Sequence, residues 1–201
     1  MIAYLIRHGE ITQYRPRRFV GQLDLPLTDL GREQIRAVAR HLGGRGVARL
    51  VCSPLARCVE SAAIIGRVLG LGAGHAPGLR EISLGEWEGL TVDEVRERFP
   101  GSHEARGRDL VGFRPPGGES FADVQDRAWA AFETALTDAI GDVAIVAHGG
   151  VNRALLCRIL GMPLENLFRL GQDYACVNEL HAGSESFCVT SMNFLPSDRA
   201  S

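Results

Sequence analysis

Four short stretches of this sequence hold side chains that can do chemistry on an anion. "LIRHGE" brings Arg7 and His8 to Gly9, "CSPLARC" carries Ser53 and Arg57, "VAHGGVN" carries His148, Gly149 and Gly150, and "LREISLGEWEGL" supplies Glu81. Two imidazoles and two guanidinium groups, gathered without an obvious neutralising carboxylate, would make a small cationic pocket. Its natural occupant is an oxyanion, because the planar guanidinium fork matches phosphate oxygens. A helix start near Gly149 would add backbone amides aimed at negative charge. Arg7, Arg57 and His148 are therefore expected to bind a phosphoryl group during transfer, where preorganised charge does most of the catalytic work.

That leaves His8 as nucleophile. A neutral imidazole nitrogen attacks phosphorus when its other nitrogen keeps a proton on an acceptor, here a carbonyl of the Gly9 loop. The departing alkoxide needs a proton, and Glu81 is the expected donor, with Glu86 and Glu88 as rivals. Such a carboxyl then takes the proton back from water as phosphohistidine is hydrolysed. The scheme needs no metal and no cofactor.

Each of these residues also has a plain structural reading. A lone histidine at a strand end is more often a hydrogen-bonded structural residue, and an arginine is often half of a surface ion pair. The second caution weighs here because all 22 basic residues are arginine. Glu81 could simply cap or pair with Arg80. Trp87 is expected to pack or to wall a pocket, Gly117 and Gly118 to form a turn, and Arg106, Arg108 and Arg114 to be solvated loop charges unless a substrate with further negative groups recruits them. His41, His75, His103 and His181 have no partner pattern.

The elements that must position the reactive residues favour the chemical reading. "IAYLIR", "RLVCS" and "DVAIVAH" read as strands, and apolar runs alternate with amphipathic segments throughout, as in an α/β domain on a largely parallel sheet. Sites in such sheets lie beyond the carboxyl ends of the strands, where Arg7 and His8, Ser53 and Arg57, and His148 and Gly149 all fall. Thr28 caps a helix over "DLGREQIRAVARHL", and Ser53-Pro54 starts one running from about Leu55 to Leu69. Thr91 with Glu94, and Ser120 with Asp123, have capping-box spacing. "NRALLCRILG" is helical, and the tail closes as a hairpin around residues 183 to 185. Between Phe99 and Glu119 the periodicity fails, as in an excursion or lid.

Composition narrows the class further. A 201-residue chain with 45% hydrophobic residues suits one compact domain over residues 1–201. Net charge is -2, so no basic field advertises nucleic acid. No stretch could span a bilayer, and the apolar run after Met1 is too short for a signal peptide. Five cysteines without CxxC pairing suit buried thiols in a reducing compartment, so a cytoplasmic location is expected. Nothing in the sequence speaks to oligomeric state.

With these residues placed, the chain resembles the histidine phosphatase superfamily of phosphoglycerate mutase-like fold. "LIRHGE" matches its Arg-His-Gly signature, "CSPLARCVESA" its Ser-Pro-Leu-x-Arg segment, "LREISLGEWEGL" its acid/base segment and "IVAHGGVNRAL" its second-histidine segment, in family order. The resemblance implies a three-layer α/β/α sandwich with a mostly parallel sheet. It implies a phosphohistidine at His8, proton donation by Glu81, and phosphate binding by Arg7, Arg57 and His148.

"FRPPGGESFADVQDRA" and "FRLGQDYACVNEL" are most similar to α-ribazole phosphatases, so the implied substrate is a small phosphorylated metabolite, α-ribazole 5'-phosphate, from cobalamin nucleotide-loop assembly. Two departures stand out, with Tyr14 where many members place an Asn near the phosphate and Ser61 where a Thr is common. Gly21 in "RRFVGQ" is placed to offer backbone amides to ligand. The alternatives are a cofactor-dependent phosphoglycerate mutase, disfavoured by the short insert after Glu81, and a non-catalytic phospholigand-binding module, disfavoured because both His8 and Glu81 are kept.

Overall fold

The computed structural model describes residues 1–12, 15–183 and 186–197. Its centre is a six-stranded sheet in the order β3-β2-β4-β1-β5-β6, made of β1 (Ile2–Arg7), β2 (Val47–Cys52), β3 (Ala73–His75), β4 (Asp142–Ala147), β5 (Val177–Ala182) and β6 (Phe187–Phe194). β1, β2, β3 and β4 run parallel, and β5 pairs antiparallel with both β1 and β6. The sheet is therefore mostly parallel, as expected. The closing hairpin forms from β5 and β6, while positions 184 and 185 of its tip lie outside the described residues.

The central strands β1 and β4 are apolar on both faces because both are covered. Along β1, Ala3 and Leu5 join one apolar cluster, with Val143 and Ile145 of β4; Tyr4 and Ile6 join the other, with Ala144 and Val146. Helices α1 (Asp29–Leu42) and α2 (Ala56–Leu69) pack on the Tyr4 face. Helices α5 (Phe121–Leu136) and α6 (Gly149–Ile159) pack on the Leu5 face. This is a three-layer sandwich whose two cores follow from the period-two alternation of each strand.

Helix starts fall where the caps place them. Thr28 Oγ1 accepts from Gly31 N at 3.0 Å, and both Thr91 before α3 (Val92–Arg98) and Ser120 before α5 form complete capping boxes. α2 ends on Gly70 in the left-handed region at φ 69°. The segment between Phe99 and Glu119, expected to be irregular, contains a short helix, α4 (Ser102–Arg108). It buries none of its own residues, so no apolar periodicity marked it.

Adjacent strands bring their ends together. His8 N donates to Ala147 O at 3.1 Å, and Ser53 N donates to Val146 O at 2.9 Å, so the residues that follow β1, β2 and β4 share one edge of the sheet.

Candidate active site

At that edge lies a cavity of about 720 Å³, lined at its base by Arg7, His8, Arg57, Glu81, Gly149 and Gly150. β1 delivers His8, which is only 3% exposed. His8 Nδ1 lies 2.7 Å from Gly9 O. A carbonyl only accepts, so this contact assigns the proton to Nδ1 and leaves the Nε2 lone pair available. Burial first, then the Arg57 and Arg7 charges, hold the His8 pKa well below 6.5 against the raising effect of the Gly9 bond. The ring is thus uncharged at neutral pH.

Gly9 is required by close approach, because a Cβ there would run into the carbonyl of Gly31 in α1. Ser61 Oγ accepts from Gly9 N at 3.3 Å and donates to Arg57 O at 2.7 Å. The serine found in place of the commoner threonine thus ties the His8–Gly9 loop to α2.

Arg57, 1% exposed, is held through all three of its nitrogens: Nη1 donates to Leu23 O (2.7 Å), Nη2 to Gly21 O (2.9 Å) and Nε to His148 Nδ1 (3.2 Å). Each terminal nitrogen carries two hydrogens, so one N–H on each remains for a ligand. Gly21 does line the cavity, but the atom seen engaged is its carbonyl, which orients Arg57. Arg7 Nη1 donates to Gln172 O at 2.5 Å, its guanidinium lies 3.8 Å from the Tyr174 ring centroid, and its buried Nε has no partner among the described residues. A buried donor left open beside a helix start calls for an acceptor.

His148 is fully buried, with its ring 5.2 Å from that of His8. Because Arg57 can only donate, His148 Nδ1 must accept, and Nε2 then donates to Ser53 Oγ at 2.8 Å. Both nitrogens are engaged within the protein, and the ring is not part of the cavity lining. In this arrangement His148 holds Arg57 rather than facing a ligand. Burial, followed by Arg57, His8 and Arg7, keeps it uncharged as well. Cys58 Sγ packs against the same ring, and burial pushes its thiol pKa well above the usual value.

Glu81, the carboxyl group that the sequence singled out ahead of Glu86 and Glu88, lies against the start of α6. Its Oε2 accepts from Gly150 N at 3.0 Å and its Oε1 from Ile82 N at 2.9 Å. A helix N-terminus favours a negative side chain, so the first turn of α6 holds the Glu81 carboxylate in place instead of leaving every amide open to the cavity. A Cβ on Gly150 would strike Glu81 Oε1. Among the described residues no ion pair joins the Arg80 side chain to Glu81. Arg127 of α5 donates to Glu81 O (3.0 Å), Arg80 O and Gly78 O, and pairs with Glu119, whose Oε2 accepts from Ser83 N at 2.9 Å. Glu88 takes the Gln22 and Leu84 amides, a structural task. Gly117 and Gly118 form the expected turn, packed against Ser83 to Gly85, and Trp87 is wholly buried.

Several residues without a motif also reach the cavity: Arg153, Tyr174, His103 and Arg106. Arg153 was readable in principle, since it follows Gly149 by one helical turn on α6. Arg106, expected in solvent, turns inward because it is carried on α4, whereas Arg114 remains a surface partner of Asp123. Tyr14 lies outside the described residues. Among the described residues, no group of three or more His, Cys, Asp or Glu could hold a metal ion, and no helix is long and apolar enough to cross a membrane.

Comparison with known proteins agrees with this architecture. The profile of the family described as "Histidine phosphatase superfamily (branch 1)" matches residues 3–195. A protein of Mycolicibacterium vanbaalenii named "Glucosyl-3-phosphoglycerate phosphatase" is 38% identical over 175 residues, covering 83% of this chain and 77% of the relative. A Yersinia pestis protein named "Probable phosphoglycerate mutase" is 33% identical over 161 residues, covering 80% and 75%. The crystal structure of the α-ribazole phosphatase from Shigella flexneri superposes with a TM-score of 0.89 at 25% identity, over 100% of both chains.

Proposed function

The chain belongs to the histidine phosphatase superfamily, and from that premise we propose that it is a metal-independent phosphomonoesterase working through a phosphohistidine at His8. The observation that carries the reading is the His8 Nδ1 bond to Gly9 O, which leaves an uncharged ring with Nε2 free at the base of a cavity rich in guanidinium groups. Nε2 forms a bond to phosphorus as the bond from phosphorus to the ester oxygen breaks, and Glu81 gives its proton to the departing alkoxide. Water then attacks the phosphohistidine, Glu81 recovers a proton from it, and phosphate leaves with His8 restored.

Arg7 and Arg57 neutralise the phosphoryl oxygens through the N–H groups left open. His148 supports this role by accepting the Arg57 Nε–H at its Nδ1, which fixes the guanidinium in the orientation that presents those groups.

The substrate is a small phosphorylated metabolite. α-Ribazole 5'-phosphate is the candidate the sequence pointed to, and glucosyl-3-phosphoglycerate is the one suggested by the name of the mycobacterial relative. A cytoplasmic setting is supported by five cysteines that are all free thiols.

The test is a phosphate-release panel including both compounds, run beside His8→Ala, with a search for an acid-labile phosphoenzyme. Loss of turnover and of the labelled intermediate in His8→Ala is expected, and unchanged turnover refutes the nucleophile. Isomerisation of 3-phosphoglycerate without phosphate release would identify a mutase instead. Binding without turnover across the panel would identify a phospholigand-binding module.

A further inference from the structure

Three primary amides are buried where the core would otherwise be apolar. Gln172 is 2% exposed, Asn152 of α6 and Asn178 of β5 are 0% exposed, and none of them lines the cavity. Asn178 stands opposite Leu5 of β1 and, like Leu180 two residues on, faces the Leu5 side of the sheet. Gln172 and Asn178 bond each other twice, Nε2 donating to Oδ1 at 2.7 Å and Nδ2 to Oε1 at 3.0 Å. Asn152 Nδ2 donates to the same Oε1 at 3.1 Å, and Asn178 Nδ2 also donates to Leu5 O at 2.9 Å. Asn178 Oδ1 further accepts from Asn193 N at 3.0 Å, where the register between β5 and β6 shifts.

The fold itself does not require these amides, because side chains of like shape without polar atoms would fill the same space at little cost. What requires them is the stretch from Gln172 to Cys176, which belongs to no helix or strand. It wraps the end of β1. Gln172 O accepts from Arg7 Nη1, Tyr174 lies under the Arg7 guanidinium, Ala175 N donates to His8 O at 3.0 Å, and Cys176 O accepts from Arg7 N at 3.0 Å. A guanidinium stacked on a ring and bonded at one nitrogen has its plane fixed. Here that leaves the buried Nε–H of Arg7 without a partner among the described residues, beside Gly149.

We propose that Gln172 is a positioning residue for phosphoryl transfer: its side chain, locked to Asn178 and Asn152, fixes its own carbonyl, and that carbonyl aims the Arg7 guanidinium at the phosphoryl group. This rests on the phosphoester reading above and adds to it a residue that touches neither the substrate nor the reacting atoms. Loosening the amides keeps the charge of Arg7 but spreads its directions, so the cost falls on phosphate binding and on every ester alike. The proton donor is unaffected, since Glu81 is held by α6 and by Arg127.

The test is a double-mutant cycle on inorganic phosphate, with Kd taken from phosphorus NMR titration, which needs no turnover. Gln172→Met should weaken phosphate binding about tenfold, the size of one charge-assisted contact. In an Arg7→Met background the same change should move Kd by less than about twofold, because no guanidinium is left to aim. Asn152→Leu removes one bond to Gln172 together with an oxygen, Oδ1, that has no partner among the described residues, and it serves where Gln172→Met does not fold. It should weaken phosphate binding about threefold, and only when Arg7 is present. Gln172→Met should also lower kcat/KM for an alkyl phosphate and for p-nitrophenyl phosphate by the same factor. Unchanged phosphate affinity, equal losses with and without Arg7, or a loss confined to the alkyl ester overturns the positioning role. If the coupling to Arg7 is present but the unaltered protein hydrolyses no phosphoester, the positioning role stands and the phosphatase reading fails.

Discussion

Arg127 lies outside the cavity lining, yet the position of Glu81 depends on it. Its guanidinium donates to the carbonyls of Gly78 (2.7 Å), Arg80 (2.6 Å) and Glu81 (3.0 Å), and grips both oxygens of Glu119 at 2.8 and 2.9 Å. Arg127→Met keeps the stem and removes all of these bonds. The ion pair is half-buried, with side chains 23% and 26% exposed. The roughly 3–5 kcal/mol lost when a fully buried pair is broken is therefore discounted to about 2–3 kcal/mol for solvent screening. For a chain of this size that lowers Tm by roughly 5–10 °C, leaving the protein folded at assay temperature.

The catalytic effect should be larger. An acid has to lie within hydrogen-bond reach of the leaving oxygen, and a shift on the order of 1 Å costs on the order of 100-fold. The assay compares kcat/KM for an alkyl phosphate and for p-nitrophenyl phosphate. That parameter covers steps through cleavage of the ester bond, and p-nitrophenolate departs without a proton. Arg127→Met should cut the alkyl value by about 100-fold and the aryl value only a few-fold, since only the first needs the acid. An equal fall for both substrates, or no fall, would refute the claim that Arg127 acts by placing Glu81.

Two further outcomes follow from the same geometry. Gly150→Ala places a methyl group against Glu81 Oε1, so it should lower alkyl phosphate turnover by at least about tenfold while leaving the melting temperature within a few degrees; normal turnover would show that Glu81 has room to move. Stability should fall on acidification, because below pH 6.5 the unfolded chain takes up protons that buried His8 and His148 refuse. The penalty is absent above 6.5 and grows below it by up to about 1.4 kcal/mol per pH unit for each ring. Urea unfolding at pH 5 and pH 7 checks this, and a His8→Asn/His148→Asn double variant with an equally steep acid loss would count against it.

Local chemistry made much of the molecule readable before any coordinates. The double-sided burial of "IAYLIR" and "DVAIVA", the caps at Thr28, Thr91 and Ser120, and the placing of His8 and His148 at strand ends all depend on neighbours within a few residues. α4 escaped because it buries nothing and so has no stripe to show.

What the tertiary structure alone decided are the relations between distant segments. Glu81 is the cavity carboxylate, rather than Glu86 or Glu88, because the α6 start and the Arg127–Glu119 pair take hold of it from 69 and 46 residues away. His148 meets Arg57 across 91 residues, and Gly21 turns a carbonyl to the same arginine. Arg106 reaches the cavity because a short helix carries it there. Periodicity and capping are written in consecutive residues, whereas the hydrogen-bond partner of a buried charge is set by how the layers pack.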